Sequence, residues 1–237
     1  MLKSNSFVGR VWVFDEIAST QTFLEGVENL TIGDLAVARH QTEGRGRLER
    51  RWSDVEEGSI LLSLALPVSS VLTLAIGVAV LRSLSALSSA LTLKWPNDIV
   101  VVEAGGYRKV GGIITTRKSD SLAIAGIGIN LVAPQDELQA CGLCDLTDAS
   151  LNVTDILASI IYEVSVAVTL EQNEVIQHFR TNTSTLHRDV RIQAINGKSI
   201  YGYVADIAED GALLIDTDNG QIRMTSGDVS YIRFAEG

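Results

Sequence analysis

The hydrophobic and polar positions of this chain form strand-like and helix-like patterns in turn over the first two-thirds of its 237 residues. Short apolar runs bounded by turn residues predict strands, and these runs cover residues 11–14, 34–39, 60–66, 91–95, 99–102, 110–115 and 122–129. One helical pattern begins after Ser19-Thr20-Gln21, and a second one covers residues 71–87. Strands that alternate with helices predict an α/β domain.

The longest helical pattern lies at residues 154–179. Apolar residues recur at Ile156, Ile160 and Val164, which is the spacing of one helix face. Thr154 stands where a side-chain N-cap is expected. This pattern predicts one long helix that packs a single face on the core.

The pattern changes after His187, where short β-type runs replace the helices. These runs cover residues 190–195, 199–207, 212–216 and 222–225, and the tight-turn pairs Asn196-Gly197, Asp210-Gly211 and Asn219-Gly220 lie between them. Such spacing predicts a small all-β barrel of roughly fifty residues. The polar segment 181–185 precedes it, so we expect a larger domain at 1–185 and a C-terminal domain at 186–237.

Residues 58–81 carry no charge and are long enough to cross a membrane. Pro67 and the pair Ser69-Ser70 interrupt this stretch, so we interpret it as a buried strand, a turn and a buried helix. The first six residues contain no apolar segment of the kind that a secretory signal has. We therefore expect a cytoplasmic protein without a membrane segment.

Composition and charge narrow the class of protein. Hydrophobic residues make up 46% and charged residues 20% of the chain, which is typical of a globular protein with a substantial core. The formal net charge of −10 disfavours nucleic acid and anionic membranes as partners. Cys141 and Cys144 form a Cys-x-x-Cys pair without a second pair, so two free thiols are favoured over a redox pair or half of a zinc site.

The segment 41–52, Gln-Thr-Glu-Gly-Arg-Gly-Arg-Leu-Glu-Arg-Arg-Trp, is the first candidate for chemistry. Four arginines fall within seven residues, and glycines interleave with two of them. Glycine lets backbone N–H groups converge on an anion, and arginine offers a planar fork for phosphate or carboxylate oxygens. Trp52 offers a flat surface for a ring system. The segment favours an anionic ligand over a solvated basic loop, and it lacks the Gly-Lys-Ser/Thr of a P-loop.

Two further motifs place lysines beside predicted strands. In the motif 94–98, Lys-Trp-Pro-Asn-Asp, the lysine suits phosphate, and Asn97 and Asp98 offer oxygen ligands for Mg²⁺ on a nucleotide. Lys109 follows a predicted hairpin turn at 105–106 and precedes two glycines, where it suits a carboxylate. Taken alone, ordinary turn chemistry and an exposed hairpin lysine explain these motifs better.

Two motifs suit flat or polar groups. The motif 126–130, Gly-Ile-Gly-Ile-Asn, leaves one strand face bare for a flat ligand or another backbone, and Asn130 offers its amide to a base edge. Ser19-Thr20-Gln21 places hydroxyls and an amide at a helix start, where they suit a ureido group or an anion. A strand packed against a helix and a plain N-cap are the alternatives.

The order of these motifs along the chain is more informative than any one of them. Ser-Thr-Gln, Gln-x-x-Gly-Arg-Gly-Arg-x-x-Arg-x-Trp, Lys-Trp-Pro-Asn-Asp, Lys-Val-Gly-Gly-Ile and Gly-Ile-Gly-Ile-Asn follow one another, and the small β domain ends the chain. In this order the chain resembles the biotin protein ligases, from about residue 10 to the end. The resemblance implies a mixed β-sheet with packed helices, followed by an SH3-like barrel.

The resemblance also implies an activity. Members of this family join biotin to ATP, giving biotinyl-5'-AMP and pyrophosphate, and then transfer biotin to one lysine of a carrier protein. The implied substrates are therefore biotin and ATP, the implied ion is Mg²⁺, and the implied partner is the biotin carboxyl carrier domain of a carboxylase. Members pair through sheet surfaces, so a homodimer is also a candidate.

The resemblance implies roles for the residues that match the family motifs. Two residues would be catalytic. Lys109 would be the lysine that bridges the carboxylate and the α-phosphate, and Arg47 would be the second catalytic residue. The residues implied to contact biotin are Ser19, Thr20, Gln21, Gln41, Gly44, Arg45, Gly46, Arg47, Lys109 and Gly112. Those implied to bind the nucleotide are Arg50, Trp52, Lys94, Asn97 and Asn130, with Asp98 holding its Mg²⁺.

The chain departs from the family pattern at two positions. Glu49 stands where a glycine is frequent, and Gln21 stands where an asparagine is frequent. Glu49 puts a negative charge beside Arg50 and Arg51, and we expect it to pair with one of them and alter the order of the loop. No helix-turn-helix segment precedes residue 10, so we do not expect the DNA-binding repressor form of the family.

Three alternatives stay open at this point. A lipoate ligase or octanoyl transferase would share the sheet and the lysine but lack the Gly-Arg-Gly-Arg loop. A non-catalytic biotin-responsive regulator would need an added DNA-binding domain, or loss of Lys109 or the arginines. Nucleic-acid binding through the arginine cluster is disfavoured by the net charge of −10.

Overall fold

The computed structural model describes residues 7–104, 106–135, 137–193 and 198–231. Within these ranges the strands form a seven-stranded sheet and a five-stranded sheet. Four α-helices accompany them, and they are α1 Thr20–Gly26, α2 Leu72–Leu84, α3 Val153–Ala167 and α4 Gln172–Asn182. The α/β class predicted from the alternating pattern is confirmed.

The larger sheet contains all seven predicted strands. Its strands are β1 Val11–Ile17, β2 Leu35–Gln41, β3 Ser59–Pro67, β4 Leu91–Lys94, β5 Asp98–Glu103, β6 Gly106–Arg117 and β7 Leu122–Asn130. Their order across the sheet is β1-β2-β3-β7-β6-β5-β4. The β1–β2 pair is parallel and the other neighbours are antiparallel, so the sheet is mixed.

Helices cover both faces of this sheet. Alternate residues of a strand point to opposite faces, and adjacent Leu35 and Ala36 belong to separate apolar clusters. Ala36 packs with Leu24 of α1, whereas Leu35 belongs to the main core on the other face. α2 lies between that second face and helices α3 and α4.

The uncharged stretch 58–81 therefore forms strand β3 and most of α2. Strand β3 is buried on both faces, and α2 is buried around most of its circumference. An element covered on all sides needs no polar face, which explains the absence of charge. Within the described ranges no helix is both long enough and apolar enough to cross a bilayer.

The prediction of one helix over residues 154–179 is wrong, because two helices occupy this segment. Asn152 caps α3, with its side-chain oxygen accepting hydrogen bonds from the N–H groups of Thr154 (3.1 Å) and Asp155 (3.3 Å), so Thr154 is not the N-cap. A second start signal follows at Glu171, whose N–H donates to Glu174 Oε2 over 2.9 Å. This capping interaction begins α4 and ends the continuous helical pattern.

The C-terminal region forms an antiparallel sheet. Its strands are β8 Asp189–Gln193, β9 Ser199–Ile207, β10 Leu213–Thr217, β11 Gly220–Met224 and β12 Asp228–Tyr231, in the order β11-β10-β9-β8-β12. The predicted turns at 210–211 and 219–220 are confirmed, since Gly211 (φ 86°) and Gly220 (φ 103°) adopt the left-handed conformations such turns require. The predicted turn at 196–197 lies outside the described residues.

This small sheet differs from the prediction in two respects. Strand β12 was not predicted, because its sequence Asp-Val-Ser-Tyr contains no apolar run of the kind that marks the other strands. In the described part of the chain the edge strands β11 and β12 do not pair, so the SH3-like unit is an open sheet and not the closed barrel that was expected.

The two sheets share one continuous apolar core. The indole N–H of Trp95 donates to the carbonyl of Gly211 over 2.9 Å, which joins the turn between β4 and β5 to the turn before β10. Arg180 of α4 pairs with both carboxylate oxygens of Asp206 on β9, at 2.8 and 2.9 Å. These contacts fix the C-terminal sheet beside the 94–98 motif.

Candidate active site

A cluster of buried polar side chains lies where α1 meets strands β2 and β3. We call this cluster the polar wall, and its members are Ser19, Thr20, Gln21, Gln41 and Ser63. Each of them is at most 6% exposed. Buried polar groups are costly unless they are hydrogen-bonded, so the partners of each member decide whether the cluster is stable.

Four members of the polar wall bond to one another, and the fifth, Ser19, accepts from the N–H of Thr22 over 3.4 Å. The N–H and hydroxyl of Thr20 donate to Gln41 Oε1 over 2.7 and 3.0 Å, and the hydroxyls of Thr20 and Ser63 lie 2.9 Å apart. Ser63 donates to Gln21 Oε1 over 3.2 Å. Gln21 Nε2 in turn donates to the carbonyl of Ile124 over 3.1 Å. The wall is therefore formed and held without a ligand.

Ser63 was not among the predicted site residues. It lies in the middle of an apolar run, where a lone serine has no helical or turn role. A hydroxyl inside a strand that is buried on both faces must bond to another polar side chain. That isolated polar position was the signal in the sequence.

Two paired glycines form a flat floor beside the wall. Gly112 of β6 faces Gly128 of β7 across the ladder. The ring of Trp52 covers them, since a Cβ placed on Gly128 would lie 2.6 Å from Trp52 Cε2 and one on Gly112 would lie 3.3 Å from Cζ3. The bare strand face expected from the sequence exists, and the chain's own indole lies on it. Among the described residues, Trp52 Nε1 is buried without a hydrogen-bond partner.

Two lysines share one buried carboxylate next to this floor. Lys109 Nζ lies 2.8 Å from Asp98 Oδ1, and Lys94 Nζ lies 3.3 Å from Asp98 Oδ2. Burial raises the pKa of Asp98, but the charges of Lys109 and Lys94 outweigh it and hold that pKa below its usual range. The side chain of Lys109 is 32% exposed and that of Lys94 only 5%, so Lys109 is the lysine that can reach a ligand.

The backbone of Lys109 is held from both sides. A register shift in the β5–β6 ladder lies opposite Lys109, and its N–H donates to the carbonyl of Gln139 over 2.6 Å. Its carbonyl accepts from the N–H of Cys141 over 2.8 Å and from Asn130 Nδ2 over 3.4 Å. Asn130 Oδ1 is buried and has no partner among the described residues. The side chain of Lys109 thus projects from a fixed backbone position.

The segment Gly44–Trp52 forms a tight turn-back that we call the arginine hairpin. The N–H of Trp52 donates to the carbonyl of Gly44 over 2.8 Å, and the N–H of Gly46 donates to the carbonyl of Arg50 over 2.7 Å. Leu48 stands at its tip with φ 54°, a left-handed conformation that few residues other than glycine adopt. The side chain of Glu49 lies outside the described part of the structure, so its predicted pairing stays a prediction.

The arginines of the hairpin contact different elements. Arg45 Nη1 donates to Glu25 Oε2 of α1 over 2.7 Å, and Arg47 Nη1 donates to Asn97 Oδ1 over 2.9 Å. Arg50 pairs with Asp228 of β12. Burial lowers the pKa of Arg47, and the charges of Asp228 and Asp98 act in the opposite direction. Side-chain contacts therefore hold the hairpin to α1, to the 94–98 turn and to the C-terminal sheet.

Two neighbouring cavities meet at the hairpin. A small cavity of about 40 Å³ lies between the polar wall, the glycine floor and Lys109. A cleft of about 1000 Å³ lies between the hairpin, the start of α2 and the turn at 210–212. Ligand pockets usually measure roughly 300–1,000 Å³, so the small cavity takes a whole ligand only when the hairpin moves.

Most of the predicted site residues come together here. Those that line the small cavity are Ser19, Thr20, Gln21, Gln41, Arg45, Gly46, Arg47, Trp52, Asn97, Lys109 and Gly112. Gly44 and Arg50 line the larger cleft. Lys94 and Asp98 lie behind Lys109, and Asn130 holds its backbone.

The two cysteines lie in the loop that follows β7. Cys141 is buried and Cys144 is exposed, and both are free thiols. Burial raises the pKa of the Cys141 thiol, so it stays protonated at neutral pH. In the described ranges no group of three or more His, Cys, Asp and Glu side chains is arranged to hold a metal ion.

Comparison with known proteins agrees with this geometry. Residues 13–131 match the biotin/lipoate A/B protein ligase family, and residues 185–231 match the biotin protein ligase C-terminal domain. The biotin–[acetyl-CoA-carboxylase] ligase of Mycobacterium tuberculosis is 29% identical over 217 residues, which span 85% of this chain and 80% of the relative.

Further relatives extend the match to nearly the whole chain. The bifunctional ligase/repressor BirA of Escherichia coli is 31% identical over 250 residues, which span 96% of this chain and 75% of that protein. The structure of the Aquifex aeolicus biotin protein ligase in complex with biotin and ATP is similar, with a TM-score of 0.79, 27% identity, and coverage of 95% of this chain and 99% of that one. This chain belongs to the biotin/lipoate A/B protein ligase family.

Proposed function

We infer that this chain is a biotin protein ligase. It activates biotin with ATP to biotinyl-5'-AMP and then transfers biotin to a specific lysine of a biotin carboxyl carrier protein. One observation carries this conclusion: the polar wall and the cationic Lys109 face one cavity under an arginine-rich hairpin. The relatives of known name support biotin as the acid, because they are biotin ligases and a similar structure binds biotin and ATP.

The polar wall is proposed to hold the ring end of biotin. Ser19, Thr20, Gln21 and Gln41 offer hydroxyl and amide groups that can donate to and accept from a ureido group. Because each of these groups already has a hydrogen-bond partner within the protein, the ligand exchanges bonds with a formed site and does not have to order one. A Cβ at Gly44, Gly46 or Gly112 would press on Trp52, Arg50 or Lys109, so these glycines let the hairpin and Lys109 lie close to the cavity proposed for the ligand.

The activation step is an attack of the biotin carboxylate on the α-phosphorus of ATP. A carboxylate oxygen forms a bond to phosphorus while the bond to the bridging oxygen breaks, and pyrophosphate leaves. Two anions approach in this step, so cations at the reacting atoms lower the barrier. Lys109 and Arg47 supply that charge, and Arg45 binds the carboxylate or phosphate from the hairpin.

Asp98 and Lys94 prepare Lys109 for this role. When Lys109 turns from Asp98 toward the ligand, Lys94 still neutralises the buried carboxylate. Asp98 Oδ1 is then available, and Asp98 with Asn97 would hold the Mg²⁺ that accompanies ATP and neutralises pyrophosphate. Lys94 would support the triphosphate through its charge.

The nucleotide is proposed to lie against Trp52, Arg50 and Asn130. Trp52 offers an indole face for the adenine ring, and Arg50 offers its guanidinium to phosphate. Asn130 Oδ1 is a buried acceptor without a partner among the described residues, which suits an exocyclic amine.

The transfer step uses the nucleophile of the carrier. The amine of the carrier lysine attacks the carbonyl carbon of the mixed anhydride, an amide bond forms, and AMP leaves. The hairpin covers the adenylate meanwhile and limits its hydrolysis by water. We also propose a cytoplasmic location, which the two free thiols support, and a division into domains 1–185 and 186–237, which the two matched regions support.

Labelling of an isolated biotin carboxyl carrier domain tests the whole reaction. With enzyme, biotin and ATP, intact-mass analysis should find one biotin per carrier, and peptide mapping should place it on one lysine. A carrier whose target lysine is replaced by arginine is the matched control. If the enzyme is folded and the wild-type carrier nevertheless stays unmodified, the proposed function is refuted.

A further inference from the structure

Glu25 is a residue that neither the sequence motifs nor the reaction scheme uses. It lies on α1, four residues after Gln21 of the polar wall, and so on the same face of the helix. Its carboxylate accepts from Arg45 of the hairpin over 2.7 Å. Glu25 is not among the residues that line either cavity, whereas Arg45 lines both. The pair therefore spans from the helix to the cavity rim.

The backbone of Glu25 is a fixed support. Leu24 beside it is fully buried. Lys118, which follows β6, donates to the carbonyl of Glu25 and, over 3.5 Å, to that of Val27. A cation at a helix C-terminus stabilises the last turn by bonding to its carbonyls. Glu25 thus holds Arg45 from the rigid side of the site.

The contact between Glu25 and Arg45 uses only one of the two carboxylate oxygens. Oε2 carries the hydrogen bond, while Oε1 is buried and has no partner among the described residues. A guanidinium has five N–H donors and often pairs with both oxygens of a carboxylate. Oε1 is therefore a buried acceptor beside Arg45 that a second N–H of the same guanidinium would satisfy.

The same donors explain how Arg45 can serve two anions. Arg45 spends one N–H on Glu25, which leaves further N–H groups for a carboxylate or phosphate in the cavity. A neutral partner at position 25 would leave the guanidinium free to turn into solvent, because the Arg45 side chain is 47% exposed.

We propose that Glu25 is a positioning residue that holds Arg45 over the small cavity and so retains the acyl-adenylate. Glu25 touches no substrate and acts through Arg45. The proposal rests on the ligase function stated above and on the role given there to Arg45. It predicts an effect on retention of the intermediate and little effect on the rate at which the intermediate forms.

The Glu25→Gln variant tests this role because it keeps the size of the side chain and removes its charge. We expect release of biotinyl-5'-AMP from the enzyme to become about three- to tenfold faster, with a similar rise in KM for biotin, as suits loss of one partly exposed ion pair. The kcat for adenylation should change by less than about twofold. Glu28→Gln removes the same charge from an exposed position and should leave release unchanged.

A double-mutant cycle separates positioning from a structural effect. Arg45→Gln should speed release, and Glu25→Gln added to Arg45→Gln should add nothing further. Thermal melting without ligand checks the fold, and Glu25→Asp, which keeps the charge, is the second variant if Glu25→Gln melts early. Glu25→Asp should retain biotinyl-5'-AMP longer than Glu25→Gln does.

The outcomes against the proposal are equally definite. Unchanged release in Glu25→Gln, or an undiminished effect of that change in the Arg45→Gln background, would overturn it. A wild-type enzyme that forms no adenylate from biotin would instead overturn the ligase function. The two failures are therefore distinguishable in one set of assays.

Discussion

The polar wall and the arginine hairpin face the same cavity but are held in different ways. Each member of the wall is at most 6% exposed, and neutral hydrogen bonds among its members and to neighbouring backbone groups hold it. The hairpin exposes most of its charges, with the Arg50 side chain 64% exposed, and contacts with α1 and the C-terminal sheet hold it. Under the proposed function, the wall is the formed surface that recognises biotin, whereas the hairpin is a cover whose contacts a ligand can exchange.

The energies of these contacts explain why changes in the wall and changes in the hairpin should have different effects. A buried group that loses its hydrogen-bond partner costs about 1–3 kcal/mol, whereas an exposed ion pair contributes about 0–1 kcal/mol. Changes in the wall should therefore affect both folding and biotin affinity. Changes in the hairpin should affect retention of the intermediate and leave the fold intact.

The largest effect is expected at Lys109, which stands between the two regions. Lys109→Ala should lower the single-turnover rate of adenylate formation by about 10²–10³-fold, because the two anions then meet without the lysine charge. Circular dichroism should show a folded protein. Lys198→Ala, at an exposed lysine before β9, is the control and should be active. Normal adenylate formation in Lys109→Ala would refute the assigned role.

The next effect concerns the hairpin. Arg47→Ala removes the contact with Asn97 and a charge at the cavity, so release of biotinyl-5'-AMP should become about tenfold faster. Raising the salt concentration should speed release from the wild type as well, because salt screens exposed ion pairs. Measurement of the release rate in a chase with unlabelled biotin checks both. An unchanged rate in Arg47→Ala would contradict retention by the hairpin.

A smaller effect is expected in the wall. Ser63→Ala removes the hydroxyl that donates to Gln21 Oε1 and lies 2.9 Å from the Thr20 hydroxyl, so KM for biotin should rise about fivefold and the free energy of unfolding should fall by about 1–2 kcal/mol. Initial-rate kinetics and urea unfolding measure the two. Ser121→Ala, on an exposed turn, is the matched control. A release rate that rises as much as in Arg47→Ala would erase the distinction between the regions.

The smallest catalytic effect is expected at Asp34, which lies away from both regions. Burial raises its pKa, but hydrogen bonds from Arg10 and Thr31 outweigh it and lower the pKa to about 2. The carboxylate therefore contributes stability that is fully present above its ordinary pKa of about 4 and is lost as the pH falls to about 2.

Asp34→Asn should remove this pH-dependent part, on the order of 1–2 kcal/mol, and change adenylation at neutral pH by less than about twofold. Urea unfolding of both proteins at pH 6, 4 and 3 measures it. If the wild type and the variant lost stability in parallel over this range, Asp34 would not be the titrating group.

The sequence predicts the wall and the hairpin unequally. Strands and turns follow from local patterns, so all seven strands of the large sheet and the Gly211 turn were found. The motif order also brought Lys109 and Ser19 into one site. Glu25 and Asp228 were missed, because their partners are 20 and 178 residues away and a lone acidic residue carries no local pattern.

The break between α3 and α4 was missed for a different reason. Apolar spacing continues across it, so hydrophobic periodicity predicts one helix. Helix α3 in fact ends at Ala167, and the capping interaction of Glu171 and Glu174 starts α4. Such a cap is a bond between a backbone N–H and a side chain, which hydrophobic spacing does not report.

Exchange of pyrophosphate into ATP in the presence of different acids tests the central claim most directly. The enzyme is incubated with ATP, Mg²⁺ and labelled pyrophosphate, together with biotin, lipoate or octanoate in parallel. The fit of the polar wall to a ureido group predicts exchange with biotin, and none with the two acids that lack such a group. Exchange with lipoate but not with biotin would contradict the account.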